Sequence, residues 1–175
     1  VIFGINPIED VAWEEFQQML SVKKLQKGNM LWRIGEVCNA AIFINAGLIR
    51  SFIEQQGKEI TVQFFFENRL LTDYYSFISQ NPCILGYEAI EDLELIVINR
   101  SDVYELYDKY RSFERFGRLL AETNFLSILN TQMFLKSDTP EEKYLKLLRE
   151  RPKVMKRVPL HLIASYLGMT PEHLS

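Results

Sequence analysis

The sequence predicts an α+β protein in which a β domain is followed by a long helix and a small helical domain. Three observations support this fold class. Between Leu25 and Ile98, β-branched and aromatic residues occur in short runs separated by glycines, which is typical of strands. From about Ser112 to Lys136 the apolar period is helical and no proline interrupts it. The segment from Pro159 to Ser175 reads as a short helix, a glycine turn and the opening of a second helix.

Length and composition are compatible with two domains. The chain has 175 residues, of which 47% are hydrophobic, enough to bury one core and a small satellite domain. No window is apolar for the length that a membrane span needs, and the start of the sequence lacks a charged and then apolar signal segment. We therefore expect a cytoplasmic protein with no membrane contact.

The residue types that carry most chemistry are scarce. Cys38 and Cys83 stand alone, with no CxxC motif, so neither a disulfide framework nor a metal site is indicated. The two histidines, His161 and His173, both lie in the C-terminal segment. No nucleophile and base pair, metal-ligand spacing or phosphate loop is present. We expect no cofactor and no metal, and the protein is not expected to be an enzyme.

Charge is distributed unevenly along the chain. The formal net charge is −3, yet seven basic residues and only two acidic ones occur from Lys143 onward. A basic tail domain on an acidic body suits phosphate binding at one end of the molecule. A solvated basic linker is the alternative explanation, so the charge pattern is weak support when taken alone.

The β domain is introduced by a helix and contains several glycine-punctuated strands. Asn6 and Pro7 can open this helix, and its apolar stripe is Val11, Trp13, Phe16, Met19 and Leu20. The predicted strands are Met30–Arg33, Ala41–Ile44, Leu48–Ile53, Ile60–Phe66 and Leu93–Ile98. A hairpin turn at Gln55–Lys58 joins two of them. Many short strands of this kind predict a small sandwich or barrel.

The long helix carries a seam of the coiled-coil type. Its positions alternate by four and three residues and are Leu119, Thr123, Leu126, Asn130 and Met133. Polar residues in such a seam weaken it but fix register and partner number. We therefore predict a homodimer through this helix, although the same stripe could instead lie against the β domain.

A hinge and a capping box mark the domain boundary. Thr139 is a good N-cap, and Glu142 follows three residues later. The predicted organisation is residues 1–111 for the β domain with its N-terminal helix, 112–137 for the dimerisation helix and 138–175 for an incomplete helical domain.

The C-terminal segment has the features of a helix-turn-helix. Ile163, Ala164 and Leu167 share one helical face, and Gly168 can supply a left-handed cap. Met169 follows as a buried plug. Thr170 and Pro171 then suit the first positions of a second helix, which would enter the major groove of DNA. A generic helical hairpin is the alternative.

Several motifs together resemble the Crp-Fnr family of bacterial transcription regulators. They are Leu25-Gln-Lys-Gly28, Trp32-Arg-Ile-Gly-Glu36, Phe43-Ile-Asn-Ala-Gly47, Glu141-Glu-Lys-Tyr-Leu-Lys-Leu-Leu148, Val158-Pro159 and Ile163-Ala-Ser-Tyr-Leu-Gly168. The resemblance implies a jelly-roll domain of the cyclic-nucleotide-binding type, a winged helix-turn-helix, double-stranded DNA as a partner and RNA polymerase as a candidate partner.

The same resemblance identifies an effector pocket that lacks its main anion-binding group. The family's cassette has Gly-Glu for the ribose and, after a proline, an arginine for the cyclic phosphate; the matching residues here are Thr72-Asp73 and Cys83-Ile84. A phosphate without a guanidinium partner loses a charge-assisted pair worth about 1.5–3 kcal/mol. We therefore expect a degenerate pocket, formed by Thr72, Asp73, Tyr74, Cys83 and Ile84, that does not bind cAMP. A hydrophobic effector and a self-filled core both remain open.

The resemblance also assigns roles at a DNA face. His161 and Thr170 match positions that contact phosphates, and Glu172 matches one that accepts a hydrogen bond from cytosine. Helix-dipole complementation is the structural alternative for Glu172. Pro171 replaces a base-reading arginine, so the operator cannot be transferred. The candidate DNA-binding set is His161, Thr170, Pro171, Glu172, His173 and Ser175. The function expected is a dimeric regulator; the alternatives are a cyclic-nucleotide-responsive regulator with an atypical cassette and a protein-interaction module that has lost DNA binding.

Overall fold

The computed structural model describes residues 8–137 and 139–170. Its β domain contains two four-stranded antiparallel sheets, with strand orders β1-β8-β3-β6 and β2-β7-β4-β5, which is the arrangement of a jelly roll. The strands are β1 (Ser21–Leu25), β2 (Met30–Trp32), β3 (Ala40–Ala46), β4 (Ile49–Gln55), β5 (Lys58–Phe65), β6 (Arg69–Leu71), β7 (Gly86–Ala89) and β8 (Leu93–Asn99). The helices are α1 (Asp10–Gln18), α2 (Tyr74–Ser79), α3 (Arg100–Lys109), α4 (Arg111–Ser137), α5 (Pro140–Glu150), α6 (Pro152–Arg157) and α7 (Leu160–Leu167).

The core of the jelly roll lies between the two sheets. Alternate residues of β3 and β8 point inward, and Ile42, Ile44 and Leu95 are at most 1% exposed. The opposite sheet contributes Trp32 and Tyr87, whose rings meet edge to face with centroids 5.1 Å apart. The sandwich predicted from the strand pattern is therefore confirmed.

The predicted hairpin is also confirmed. Gln55 pairs with Lys58 across a two-residue turn. Gln56 and Gly57 have φ of 53° and 74°, and two left-handed residues in succession form the tight turn that matches the twist of a hairpin.

The apolar stripe predicted for α1 is partly wrong. Val11 and Trp13 are 67% and 45% exposed, whereas Ala12 is fully buried. The small residue Ala12 faces the apolar cluster formed with Ile98, Leu106 and Phe113, because α1 packs closely against these residues. Asn6 and Pro7 lie outside the described residues.

Helix α4 extends over 27 residues, as its helical periodicity predicted. Near its start, Gly117 allows close packing on α3, because a Cβ atom there would lie 2.3 Å from the Tyr107 hydroxyl oxygen. Farther along, Leu126 is 60% exposed. Thr123 and Asn130 of the seam are exposed as well, so this central part of the seam does not lie against the β domain.

The C-terminal helices begin with the predicted capping box. The Glu142 N–H donates to Thr139 Oγ1, and the Thr139 N–H donates to Glu142 Oε2 over 2.7 Å. Helix α6 was not predicted. Its Pro152 both ends α5 and occupies the first turn of α6, where a missing N–H costs nothing.

Candidate functional site

The sequence placed the candidate effector pocket around the start of α2. Here Asp73 caps the helix, since its Oδ1 accepts the Ser76 N–H over 2.9 Å. The Ser76 hydroxyl accepts the Cys38 N–H over 2.9 Å and donates to the Asn81 carbonyl over 2.6 Å. The Cys38 thiol lies 3.3 Å from Thr72 Oγ1. Thr72 and Asp73 are thus integrated into a hydrogen-bonded shell that closes one side of the roll.

Asp73 and Cys83 reach the interior beside Tyr87. Burial raises the pKa of the Cys83 thiol, and the nearby Asp73 carboxylate contributes. Burial and Asp73 also raise the pKa of the Tyr87 phenol. Asp73 is only 2% exposed, and among the described residues its Oδ2 makes no hydrogen bond of ordinary geometry; the Cys83 thiol and the Tyr87 phenol are the groups near enough to interact with this buried carboxyl.

Two of the five predicted pocket residues point elsewhere. Tyr74 is 45% exposed and Ile84 is 61% exposed. Tyr74 lies on the outer side of α2, and Ile84 occupies the loop before β7. The structure thus brings Thr72, Asp73 and Cys83 together and leaves Tyr74 and Ile84 at the surface.

A polar row inside the roll was missed by the sequence reasoning. Ser51 of β4 is paired in register with Tyr87 of β7 on one side and with Gln63 of β5 on the other. Paired residues point to the same face of a sheet, and Tyr87 belongs to the core. Within the part of the chain that the structure describes, the buried Ser51 Oγ and Gln63 Oε1 have no hydrogen-bond partner. The sequence did contain a signal for this row, because a polar residue, Ser51 or Gln63, stands at an inward-facing position in each of two otherwise apolar strands.

The arginines beside this region are already engaged. Arg50 is 7% exposed on the outer face of the sheet. It forms ion pairs with Glu88, over 2.5 Å, and with Glu59. Arg100 donates through Nε to the Phe77 carbonyl over 2.7 Å and stacks on Tyr104, 4.2 Å from its ring centroid. Neither guanidinium is directed into the roll.

The candidate DNA face is built on α7. The helix ends as predicted at Gly168, whose φ of 69° is left-handed, and the Met169 N–H donates to the Ala164 carbonyl over 2.9 Å. Ala164 is fully buried, so a larger side chain there would have to displace its neighbours. His161 and Thr170 are both exposed. Pro171, Glu172, His173 and Ser175 lie outside the described residues.

Helices α5 to α7 pack on the outer face of the β2-β7-β4-β5 sheet. Leu48, Phe64 and Ile90 from the roll form one apolar cluster with side chains of these helices. The members from the helices are Leu147, Val154, Val158, Leu162, Ile163, Tyr166 and Leu167. One hydrogen bond also crosses this interface: the Thr61 N–H of edge strand β5 donates to Ser165 Oγ of α7 over 2.9 Å.

Arg157, the last residue of α6, supplies an ionic contact at the rim of this interface. Its Nε donates to Glu91 Oε1 over 2.9 Å, and its guanidinium also pairs with Glu67. The hydrogen bond from Arg157 lowers the pKa of the Glu67 carboxyl. Lys153 lies 4.0 Å from the same carboxylate.

The candidate dimer surface lies on the second half of α4. Leu119 is half-buried, whereas Thr123, Leu126 and Asn130 are exposed. The Thr123 hydroxyl donates to the Leu119 carbonyl over 2.8 Å within the helix. For Met133, the structure describes the backbone of α4 and not the side chain.

Comparison with known proteins identifies the β domain. Residues 22–110 match the model of the cyclic nucleotide-binding domain. A comparison with curated proteins gives no match. Within the described residues, no helix is long and apolar enough to cross a membrane.

Solved structures of transcription regulators share the fold. A transcriptional regulator of the Crp/Fnr family from Eubacterium rectale superposes with a TM-score of 0.75 at 17% identity, over 99% of this chain and 83% of that one. FixK2 from Bradyrhizobium japonicum gives a TM-score of 0.72 at 18% identity, and the match covers 89% of this chain and 80% of FixK2. The catabolite activator protein of Thermus thermophilus gives a TM-score of 0.59 at 17% identity, and the match covers 97% of this chain and 81% of that protein. At these identities the likeness establishes the fold.

Proposed function

We propose that this chain, which belongs to the cyclic nucleotide-binding domain family, is a homodimeric, DNA-binding transcription regulator. The observation that carries the proposal is the end of α7, where a left-handed Gly168 turns the chain away from a buried Ala164 and leaves Thr170 exposed. The overall likeness to solved Crp/Fnr-type regulators supports the same reading.

The DNA-binding surface would be formed by α7 and the residues after Thr170. Helix α7 buries its apolar face in the molecule and keeps His161 at the surface. Its position in front of a sharp turn is that of the first helix of a helix-turn-helix, whose second helix enters the major groove. Lys156 and Arg149 are exposed on the helices before α7 and would add sequence-independent attraction to phosphates.

Dimerisation would use the exposed apolar side chains of α4. Phe125, Leu126, Ile128 and Leu129 are 61%, 60%, 55% and 39% exposed. Four large apolar residues at the surface of one helix form a patch that a second copy of the same helix can cover. Two paired helices would then hold two DNA-binding domains about 34 Å apart, the separation of successive major grooves on one face of DNA. A rotation about the link near Ser137 would change that separation and hence DNA affinity.

The signal that drives such a rotation is not expected to be a cyclic nucleotide. A cyclic phosphate inside the roll would approach Asp73, and Arg50 and Arg100 are both engaged elsewhere. Among the described residues, Gln63 Oε1 is a buried acceptor without a hydrogen-bond partner, and Asp73 is a buried carboxyl, so a small hydrogen-bond donor fits the interior better than an anion. Isothermal calorimetry with cAMP and cGMP should show no binding at micromolar concentrations.

DNA binding can be tested with a fluorescently labelled random duplex. Anisotropy measured from about 50 mM to about 200 mM salt should show binding that weakens steeply, because each phosphate contact releases a counterion. The double substitution Arg149→Gln with Lys156→Gln should weaken binding several-fold and reduce the slope of the logarithm of affinity against that of salt by about 1–2.

A matched control removes two positive charges from the β domain. Lys23 and Lys24 are exposed on β1, in the sheet that α5 to α7 do not cover, and Lys23→Gln with Lys24→Gln should leave the slope unchanged. No binding at the lowest salt would favour a protein-interaction module. Equal effects of the two double variants would mean that the charge of the whole chain, and not a DNA-binding domain, causes the attraction.

A further inference from the structure

We propose that Arg157, Glu67 and Glu91 form a releasable ionic latch at the rim of the apolar interface that packs helices α5 to α7 against the jelly roll. Its regulatory meaning rests on the proposed DNA-binding function, because these helices carry the candidate DNA face. The latch itself is a claim about how two parts of the chain are held together, and it can be tested without DNA.

The two carboxylates are fixed in place by the turns that carry them. Glu67 lies in the turn between β5 and β6, where Asn68 adopts a left-handed φ of 63° and its N–H donates to the Ile44 carbonyl over 2.9 Å. Glu91 lies in the turn between β7 and β8, which approaches Gly47 so closely that a Cβ there would be 2.4 Å from the Asp92 carbonyl oxygen. The acceptors for Arg157 are therefore preorganised by the roll.

Arg157 is equally well placed on the other side of the interface. It ends α6, next to Val158, which is 6% exposed in the shared apolar cluster. Its guanidinium lies over the Phe66 ring, 5.4 Å from the centroid, and reaches both Glu67 and Glu91. One side chain of the helices thus connects two separate turns of the sheet.

These three side chains are only partly buried, which is what a contact that exchanges with solvent and salt requires. Arg157, Glu67 and Glu91 retain 27%, 21% and 33% exposure, so water and salt reach them and screen the attraction. Arg157 is also a residue that DNA phosphates would attract. Phosphates and the two carboxylates therefore compete for the same guanidinium, and release of the latch favours DNA binding.

Hydrogen exchange at Thr61 provides a direct readout. Its N–H lies on the outer edge of β5 and is protected by Ser165 of α7, so it exchanges when the helices leave the sheet. In the full chain, Glu67→Gln with Glu91→Gln should speed exchange at Thr61 by about tenfold. Exchange at Leu95, which is fully buried in β8, should not change. Glu94→Gln, which breaks a surface pair with Lys24 on the other sheet, is the matched control.

The outcomes separate the latch from the proposed function. Unchanged exchange at Thr61, or an equal rise at Thr61 and Leu95, overturns the latch, because the first shows no release and the second shows global destabilisation. If Thr61 alone responds, the latch stands, and the same variant should bind random duplex about fivefold more tightly than the wild type. Absence of DNA binding in both proteins would remove the proposed function and leave the latch established.

Discussion

Truncation of Leu126 tests whether α4 is the dimer surface. Leu126 is 60% exposed in the single chain, and it occupies the middle of the predicted seam, between Leu119 and Met133. Truncation of this side chain should therefore have little effect on the stability of a single chain. In a dimer, the same side chain would be covered by the partner's helix, so Leu126→Ala should weaken association while leaving the fold of each chain intact.

The expected magnitude follows from the area that remains to be buried. Leucine to alanine removes three carbons, each worth about 0.8 kcal/mol when buried, or about 2.4 kcal/mol in all. Since 60% of the side chain is still exposed, about 1.4 kcal/mol of this would be gained at the interface per chain. Two chains contribute to one dimer, so the loss is about 2.9 kcal/mol, equivalent to an increase in the dimer dissociation constant of about 100-fold.

Sedimentation equilibrium over a range of protein concentrations measures this constant. Leu145→Ala is the matched control, because Leu145 of α5 is 64% exposed and does not belong to α4; its dissociation constant should equal that of the wild type. Circular dichroism should show the same helix content in all three proteins. A wild-type monomer at micromolar concentration, or equal constants for the two variants, would refute the assignment of the dimer surface to α4.

Two further predictions concern stability. In urea unfolding, Gly47→Ala should destabilise the roll by on the order of 2 kcal/mol more than Gly57→Ala. Both glycines have left-handed φ, but only at Gly47 would the new Cβ meet a backbone carbonyl, that of Asp92. Equal losses of stability in the two variants would contradict the steric argument. Because Arg157 lowers the pKa of Glu67, the stability that this carboxylate contributes is present above its pKa in the unfolded chain and disappears as the pH falls through the lower folded-state pKa. Thermal unfolding from about pH 7 to about pH 3 should therefore show a loss of stability at acid pH that is smaller in Glu67→Gln than in the wild type. If the stability of both proteins fell equally with pH, the contribution of the Arg157–Glu67 ion pair would be refuted.

The strands that the sequence predicted differ physically from those that it missed. β3, β4, β5 and β8 are long enough to show alternation of apolar residues, and each was anticipated within a few positions. β1 has the sequence Ser-Val-Lys-Lys-Leu and is largely exposed, so no apolar pattern marks it. β2 was predicted although it has only three residues, because Met-Leu-Trp is entirely apolar, whereas β6 (Arg-Leu-Leu) and β7 (Gly-Tyr-Glu-Ala) are short and mixed in character. Their strand conformation comes from pairing with β3, β4 and β2, a long-range effect that local propensity does not contain.

In the C-terminal helices, too, local features could be predicted and long-range contacts could not. The capping box at Thr139 and the left-handed cap at Gly168 were predictable because both are local backbone requirements. The contact of Tyr166 with Phe64, whose ring centroids are 5.5 Å apart, joins residues that are distant in sequence. Phe64 lies in a predicted apolar strand, but periodicity cannot tell whether the outer face of that strand is covered by helices from farther along the chain.

The placement of Ser51, Gln63 and Phe64 relates the interior of the roll to the packed helices. Ser51 and Gln63 face inward on β4 and β5, where their side-chain oxygens are buried and have no hydrogen-bond partner among residues 8–137 and 139–170. Phe64 is the next residue after Gln63 and points outward into the cluster that holds α5 to α7. Any displacement of Gln63 therefore moves the strand that carries Phe64, and only the thickness of one sheet separates the interior of the roll from the packed helices. Protein interiors are close-packed, so a small displacement of β5 is transmitted to Tyr166 rather than absorbed in empty space.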